Sequence, residues 1–381
     1  MRVIHVENQK QFIAVMGVPC GAIHEPKHLS GISHFLEHAM FKSKHVIATM
    51  AKNGIIYNAH TGQDYTLFFV TCDAKDCVKA FKILQEIVTS FKLTPADFVK
   101  EKRVVIEELA LTDGNRTNNV FYQLHKGTPY ESGVIGSHST LDKLQLQDLK
   151  NFYDQNYKSV STLVFCHPKW ENRLKKIGLG LGLEGSPLHY MNINTNRILN
   201  ESNTRVIKTS QDHSTGNIGF LGYPASDPKN MTLKFIAYIL NGYLIEVIRE
   251  KLGLVYHVSC LYTAMMHTGY FNIRFYTYSS TAEVLLDLVG KQIKRIQKIS
   301  QEEWDAKKVS FGKRLDSLNS NPNVKTAIAE MESMLYNEHK DTSTINYDLF
   351  RTLCKRVFVK SKCAFVIKKL NSKQKRLKLF V

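Results

Sequence analysis

The stretch Gly31-Ile-Ser-His-Phe-Leu-Glu-His-Ala-Met-Phe41 places His34, Glu37 and His38 at i, i+3 and i+4. On a helix these three side chains share one face. Two imidazoles one turn apart can both reach a zinc ion at about 2.0–2.1 Å, and a carboxylate beside them can hold the water that completes the coordination. A metal held for catalysis wants three protein ligands, with the fourth position open. Glu101-Lys-Arg-Val-Val-Ile-Glu-Glu-Leu109 offers carboxylates for that place. Glu101 and Glu108 lie two helical turns apart on one face, while Val104, Val105 and Leu109 form a predicted apolar stripe. A plain amphipathic helix would explain the stripe equally well. Glu107 is the alternative carboxylate to Glu108 and lies roughly 100° away around the helix.

The elements around these residues follow from periodicity and turn chemistry. Phe12–Val18 reads as a first strand, Cys20–Lys27 as a polar connection, and Ser30 as the cap of the helix that carries His34 and His38. A short helix over His45–Asn53 and two strands, Gly54–His60 and Tyr65–Cys72, come next, joined by a turn around Thr61-Gly-Gln-Asp64. Helical patterns cover Ala74–Lys92, Thr94–Leu111 and Leu144–Tyr157, and Thr162–His167 is predicted as a strand. Gly180-Leu-Gly-Leu-Glu-Gly185 matches a dinucleotide-binding fingerprint in letters but follows a helical segment instead of a strand, so that reading is rejected. The run rich in Gly, Asn and Ser is read as a linker. The second half then repeats the first in outline, with strands near Thr204–Thr209 and Asn217–Gly222, a long helix over Asn230–Lys251, strands over Val255–Met265 and Gly269–Tyr278, and further helices. The predicted organisation is a zinc-binding α+β domain over 1–177, a linker over 178–202 and a second α+β domain over 203–381.

His34-x-x-Glu37-His38 is the inverted form of the commoner zinc-protease signature. Its pairing with the Glu101…Glu108 helix resembles the pitrilysin, insulin-degrading and mitochondrial-processing peptidase family. Asn58-Ala59-x-Thr61 followed by Asp64-Tyr65-Thr66 resembles that family's Asn-Ala-x-Thr segment. Arg249-Glu-Lys-Leu-Gly-Leu-Val-Tyr256 resembles its second-half Arg…Tyr motif. Between His38 and Glu108 stand 69 residues, fewer than in most relatives, and the shortening falls after Phe41. The resemblance nevertheless spans almost the whole chain.

The fold it implies is α+β, with two similar domains, each a mainly antiparallel sheet covered by helices, together comparable to one half of a clamshell peptidase. The implied cofactor is zinc on His34, His38 and Glu108, with Glu101 orienting the site and Glu37 as general base. Substrate would lie as an added strand along the sheet edge at Asn58 and Ala59, and Arg249 and Tyr256 would contact substrate or the reacting carbonyl. The implied activity is that of a zinc metalloendopeptidase acting on extended or unfolded peptides. A catalytically silent structural or binding subunit is the alternative. Because one half is not a chamber, the resemblance implies a homodimer or a heterodimer with a related subunit.

A soluble intracellular protein is the expectation from composition. The chain of 381 residues is 43% hydrophobic, enough for more than one core, and no uninterrupted apolar run approaches the about 18 residues of a membrane span. No signal-peptide or transit-peptide pattern precedes Val3–Val6. Cys20, Cys72, Cys77, Cys166, Cys260, Cys354 and Cys363 are scattered, odd in number and without Cys-x-x-Cys spacing, and read as buried thiols. Of the net charge of +17, eleven Lys or Arg fall between Arg351 and Val381 with no acidic residue, leaving +6 elsewhere. That end has strand character at Phe358, Val359 and Phe365–Ile367 and is read as a solvated terminus. Nucleic-acid binding has no support beyond the charge.

Overall fold

The computed structural model describes residues 1–6, 10–42, 44–116, 119–179, 204–209, 212–278, 280–319 and 323–370. The predicted linker, from residue 180 onward, and the Gly180–Gly185 segment lie outside the described residues. In the first half, β1 (Arg2–His5), β2 (Gln11–Val18), α1 (Ile32–Met40), α2 (Lys44–Lys52), β3 (Ile56–Thr61) and β4 (Thr66–Asp73) follow in order. After them come α3 (Cys77–Thr89), α4 (Pro95–Arg116), α5 (Val120–Leu124), α6 (His138–Leu141), α7 (Leu146–Asn156), β5 (Ser161–Cys166) and α8 (Glu171–Leu179). The second half runs β6 (Thr204–Thr209), β7 (His213–Leu221), α9 (Asn230–Leu244), β8 (Val255–Ala264) and β9 (Gly269–Tyr278). It ends with α10 (Ala282–Gln297), α11 (Gln301–Asn319), α12 (Val324–Leu335), α13 (Tyr347–Val357) and β10 (Cys363–Leu370).

Each half forms a five-stranded sheet, ordered β1-β5-β2-β4-β3 and β6-β10-β7-β9-β8. Counted within its own half, each sheet has the order 1-5-2-4-3, so the repeat expected from the sequence is a repeat of topology. Only the β1–β5 and β6–β10 pairs are parallel, and the remainder is antiparallel. The fold is therefore α+β, with mainly antiparallel sheets. β1 is not among the strands expected from the sequence: Val3 and Ile4 are only partly buried and Arg2 and His5 are exposed, which leaves a weak strand pattern. β10 occupies an interior position between β6 and β7, so the basic end includes a central strand, and only 371–381 fall outside the described residues.

The chain divides into two compact units, each of which takes one helix from the other half of the sequence: α12 joins the first sheet and α5 the second. This explains the uninterrupted apolar run of β2. Phe12, Ala14, Met16 and Val18 face the core that holds Phe35 of α1 and Phe81 of α3. The intervening Gly17 faces α12, and a Cβ there would meet Met331 Sδ and Leu335 Cδ1 at 3.0 Å. A strand covered on both faces loses the alternation of a half-solvated one. In the second unit, Leu233, Phe235, Ile236, Leu240 and Leu244 of α9 build the core with Phe271, Phe275 and Phe350. Asn230–Lys251 is long and apolar enough to cross a membrane by length and composition alone. Here its apolar residues form the interior of that unit. All seven cysteines are buried and free, as expected; burial pushes the Cys77 and Cys166 thiols up to about 11.

Candidate metal centre

The helix that carries the His-x-x-Glu-His stretch begins differently from the sequence expectation. Ser30 does not cap α1; the residue at its start is Gly31, at φ +96°, and no side chain of its own caps the helix. Glu25 does so from outside: its two carboxylate oxygens accept from the Gly31 N–H at 2.7 Å and the Ser33 N–H at 2.8 Å. An anion at the positive end of a helix satisfies donors that would otherwise lack partners. Burial pushes the Glu25 carboxyl up to about 7, against the pull of those N–H groups. Gly31 also sits where a Cβ would lie 2.3 Å from the Ile135 carbonyl oxygen, so the backbone before α6 fits directly onto the start of α1.

From that start, one turn of α1 presents His34, Glu37 and His38, and α4 brings Glu101 and Glu108 to them. Glu108 lies 3.7 Å from His34 Nε2 through one oxygen and 3.3 Å from His38 Nε2 through the other. The ligand atoms of His34, His38 and Glu108 are all within 4.8 Å of one another, the one such group among the described residues. Glu107 is exposed and takes no part in the group. Val104 departs from the predicted stripe: it is 46% exposed, whereas Val105 and Leu109 are buried. The buried face of α4 therefore runs through Glu101, Val105 and Leu109. Glu101 is itself buried; it meets His38 Nδ1 at 2.9 Å and forms an ion pair with Lys42.

The electrostatics suit a neutral His34 imidazole and a poised Glu37 carboxylate. Burial pushes the His34 imidazole down to about 3, with His38 and His60 adding to the effect. His34 Nδ1 is buried without a hydrogen-bond partner among the described residues. Burial raises the Glu37 carboxyl above its ordinary range, and the Thr61 hydroxyl, which donates to Glu37 Oε2, opposes that rise. Two imidazole nitrogens and a carboxylate are a donor set that zinc accepts.

β3, which carries Asn58 and Ala59, is the edge strand of the first sheet, paired to β4 with Asn58 opposite Phe69. Asn58 is exposed, and its Oδ1 accepts the Ala59 N–H at 2.8 Å. Arg249 and Tyr256 belong to the second unit and are not members of the metal group. Arg249 stands on a π-helical continuation of α9 over Ile245–Lys251, with Glu250 3.6 Å away. Tyr256 is 82% exposed at the start of β8, beside a register shift and 6.5 Å from the Tyr276 ring. Sequence reasoning missed Lys42, Thr61 and Glu25. Thr61 carried a signal, since it closes the Asn58-Ala59-x-Thr61 segment; the other two meet their partners across long or irregular connections.

The family model described as "Insulinase (Peptidase family M16)" matches residues 2–136, and that described as "Peptidase M16 inactive domain" matches 143–310. An "Uncharacterized zinc protease" of Rickettsia felis is 26% identical over 310 residues, 74% of this chain and 72% of that protein. One from Bacillus subtilis, YmxG, is 23% identical over 365 residues, covering 88% and 86% of the two chains. Among solved structures, a protease from Helicobacter pylori superposes with a TM-score of 0.82 over 96% of both chains at 18% identity, a likeness of fold.

Proposed function

The chain belongs to peptidase family M16, and we propose that it is a zinc-dependent metalloendopeptidase hydrolysing peptide bonds in extended or unfolded peptides. One observation carries the reading: three ligand atoms of His34, His38 and Glu108 lie within 4.8 Å of one another, with Glu37 on the same helical turn. These three residues would hold the zinc. Zinc bound by such ligands supplies Lewis acidity, polarising a carbonyl and lowering the pKa of a water toward about 7.

The chain's own groups then divide the remaining work. Thr61 engages Glu37 Oε2, leaving Oε1 to take the proton from the attacking water and to return it to the leaving amine. The raised affinity of Glu37 for a proton, caused by burial, favours that duty. The outer edge of β3 offers backbone groups to an extended peptide, which gives affinity with little demand on sequence. Arg249 and Tyr256, both exposed, are proposed to hold substrate carbonyls or the developing oxyanion. A second copy of the chain is the proposed partner, a related subunit the alternative.

The test is metal content and turnover together. The purified protein should carry one zinc per chain, and a chelator should stop the release of peptides from a denatured protein mixture. Glu37→Gln should keep the zinc and lose nearly all turnover, and full activity in that variant would remove the general-base assignment. The alternative, a silent subunit, draws on the second family model, whose printed description is "inactive domain". A zinc-loaded wild type that cleaves nothing would favour it.

A further inference from the structure

Two imidazoles of the metal group are held in unequal ways. His34 Nδ1 is buried without a hydrogen-bond partner among the described residues. His38 Nδ1 lies 2.9 Å from Glu101 Oε1, and Glu101 is buried at the α4 position one face-repeat before Glu108. The other oxygen of Glu101 is paired with Lys42, whose side chain is 35% exposed and stands just beyond the end of α1. Lys42, Glu101 and His38 thus form a line that starts at solvent and ends on a nitrogen of the metal group. A buried carboxylate whose two oxygens face one cation and one imidazole has its plane fixed by both.

We infer that Lys42 is a positioning residue for the metal: by pairing with Glu101 Oε2 it fixes the carboxylate so that Oε1 accepts a hydrogen bond from the His38 Nδ1–H and Nε2 is presented to the ion. The inference rests on the zinc reading above and extends it to a residue outside the ligand set. Two physical consequences follow from the geometry. The tautomer and ring plane of His38 are set from Lys42 through Glu101. His34 has no such support among its described contacts, so the dependence of metal affinity on orientation falls on His38. Lys42 also offsets the charge of Glu101; without it, the buried carboxylate would have no Lys or Arg partner of its own among the described residues. Loss of a group that orients a metal ligand typically weakens binding about 10–100-fold.

The experiment is a zinc competition titration against a chelator of known affinity, run on wild type, Lys42→Met, Lys42→Arg, Glu101→Gln and the Lys42→Met, Glu101→Gln pair. Unfolding of each metal-free protein is followed in parallel. Lys42→Met should bind zinc about 10-fold more weakly, while its metal-free unfolding midpoint stays close to wild type. Lys42→Arg, which keeps the cation, should recover most of the affinity. The double variant should be no weaker than Glu101→Gln alone, because Lys42 acts only through Glu101. Zinc affinity within about twofold of wild type for Lys42→Met, or losses that simply multiply in the double variant, would overturn the inference while leaving the metallopeptidase reading intact. A wild type that takes up no zinc would overturn that reading and this inference with it.

Discussion

Replacing Glu108 and Glu107 separately by Gln tests the metal centre at its least redundant point. The two residues are neighbours on α4, 100° apart around the helix. Glu108 stands 3.7 Å and 3.3 Å from the two imidazole nitrogens, whereas Glu107 is exposed and outside the group. Structural zinc sites with four ligands bind with about 10–16 kcal/mol, or roughly 2.5–4 kcal/mol per ligand. Removing the Glu108 carboxylate should therefore weaken zinc binding by about 10²–10³-fold, at about 1.4 kcal/mol per factor of ten. An amide oxygen can still approach the ion, which places the effect toward the lower figure. Glu107→Gln should stay within about twofold, because a surface change away from the site moves little. Competition titration gives the affinities, and thermal unfolding gives an independent reading. Free zinc at 100 times Kd stabilises the folded protein by about 2.7 kcal/mol, a shift that Glu107→Gln should keep and Glu108→Gln should lose at the same zinc concentration. If Glu107→Gln loses the metal and Glu108→Gln keeps it, the phase assigned to α4 is wrong by one residue. If neither changes zinc binding, the third ligand is not on this helix.

Two further outcomes are expected. Gly31→Ala should destabilise the protein by about 3 kcal/mol or more, since the left-handed conformation adds about 1–2 kcal/mol of strain and the new Cβ would stand 2.3 Å from the Ile135 carbonyl oxygen; denaturant unfolding that registers a loss below about 1 kcal/mol would show that the start of α1 yields easily. Chains carrying Glu37→Gln, mixed with chains carrying both Arg249→Ala and Tyr256→Phe, should regain activity up to about one good site per mixed dimer if each site draws on two copies; continued inactivity despite demonstrated subunit exchange would mean that both motifs serve one site within a single chain or that a different partner subunit is required.

The parts of the site that could be read from the sequence are those whose chemistry requires fixed spacing along one helix. His34 and His38 must share a face to reach one ion with Glu37 beside them, and Glu101 and Glu108 must share a face, so both patterns survive in the letters. The parts that were missed depend on partners that reach the site across long or irregular connections. Lys42 meets Glu101 from 59 positions away, and the cap of α1 comes from Glu25, which displaced the local expectation for Ser30. The exchange of α5 and α12 between units left its trace only as missing alternation in β2, whose second face waits for a helix more than 300 residues away.

The same reasoning explains why the second half contains no metal group among its described residues while keeping the topology. α1 and α9 occupy equivalent places, each between the second and third strands of its own 1-5-2-4-3 sheet. In the first unit that helix is nine residues long and turns His34 and His38 toward Glu108 of α4, with Glu37 on the same turn, so its polar residues face partners inside the unit. In the second unit the helix runs for fifteen residues before its π-helical end, and its Phe235, Ile239 and Tyr243 are buried in the core. Its apolar composition, enough by itself to suggest a membrane span, is what a helix needs when its task is packing instead of coordination. The one departure from regular geometry in that helix falls where Arg249 projects, and i→i+5 turns are frequent at functional positions. A common scaffold thus places the His34, Glu37 and His38 turn at this position in one unit and an irregular, solvent-facing arginine at the helix end in the other, the two groups that the mixed-chain experiment separates.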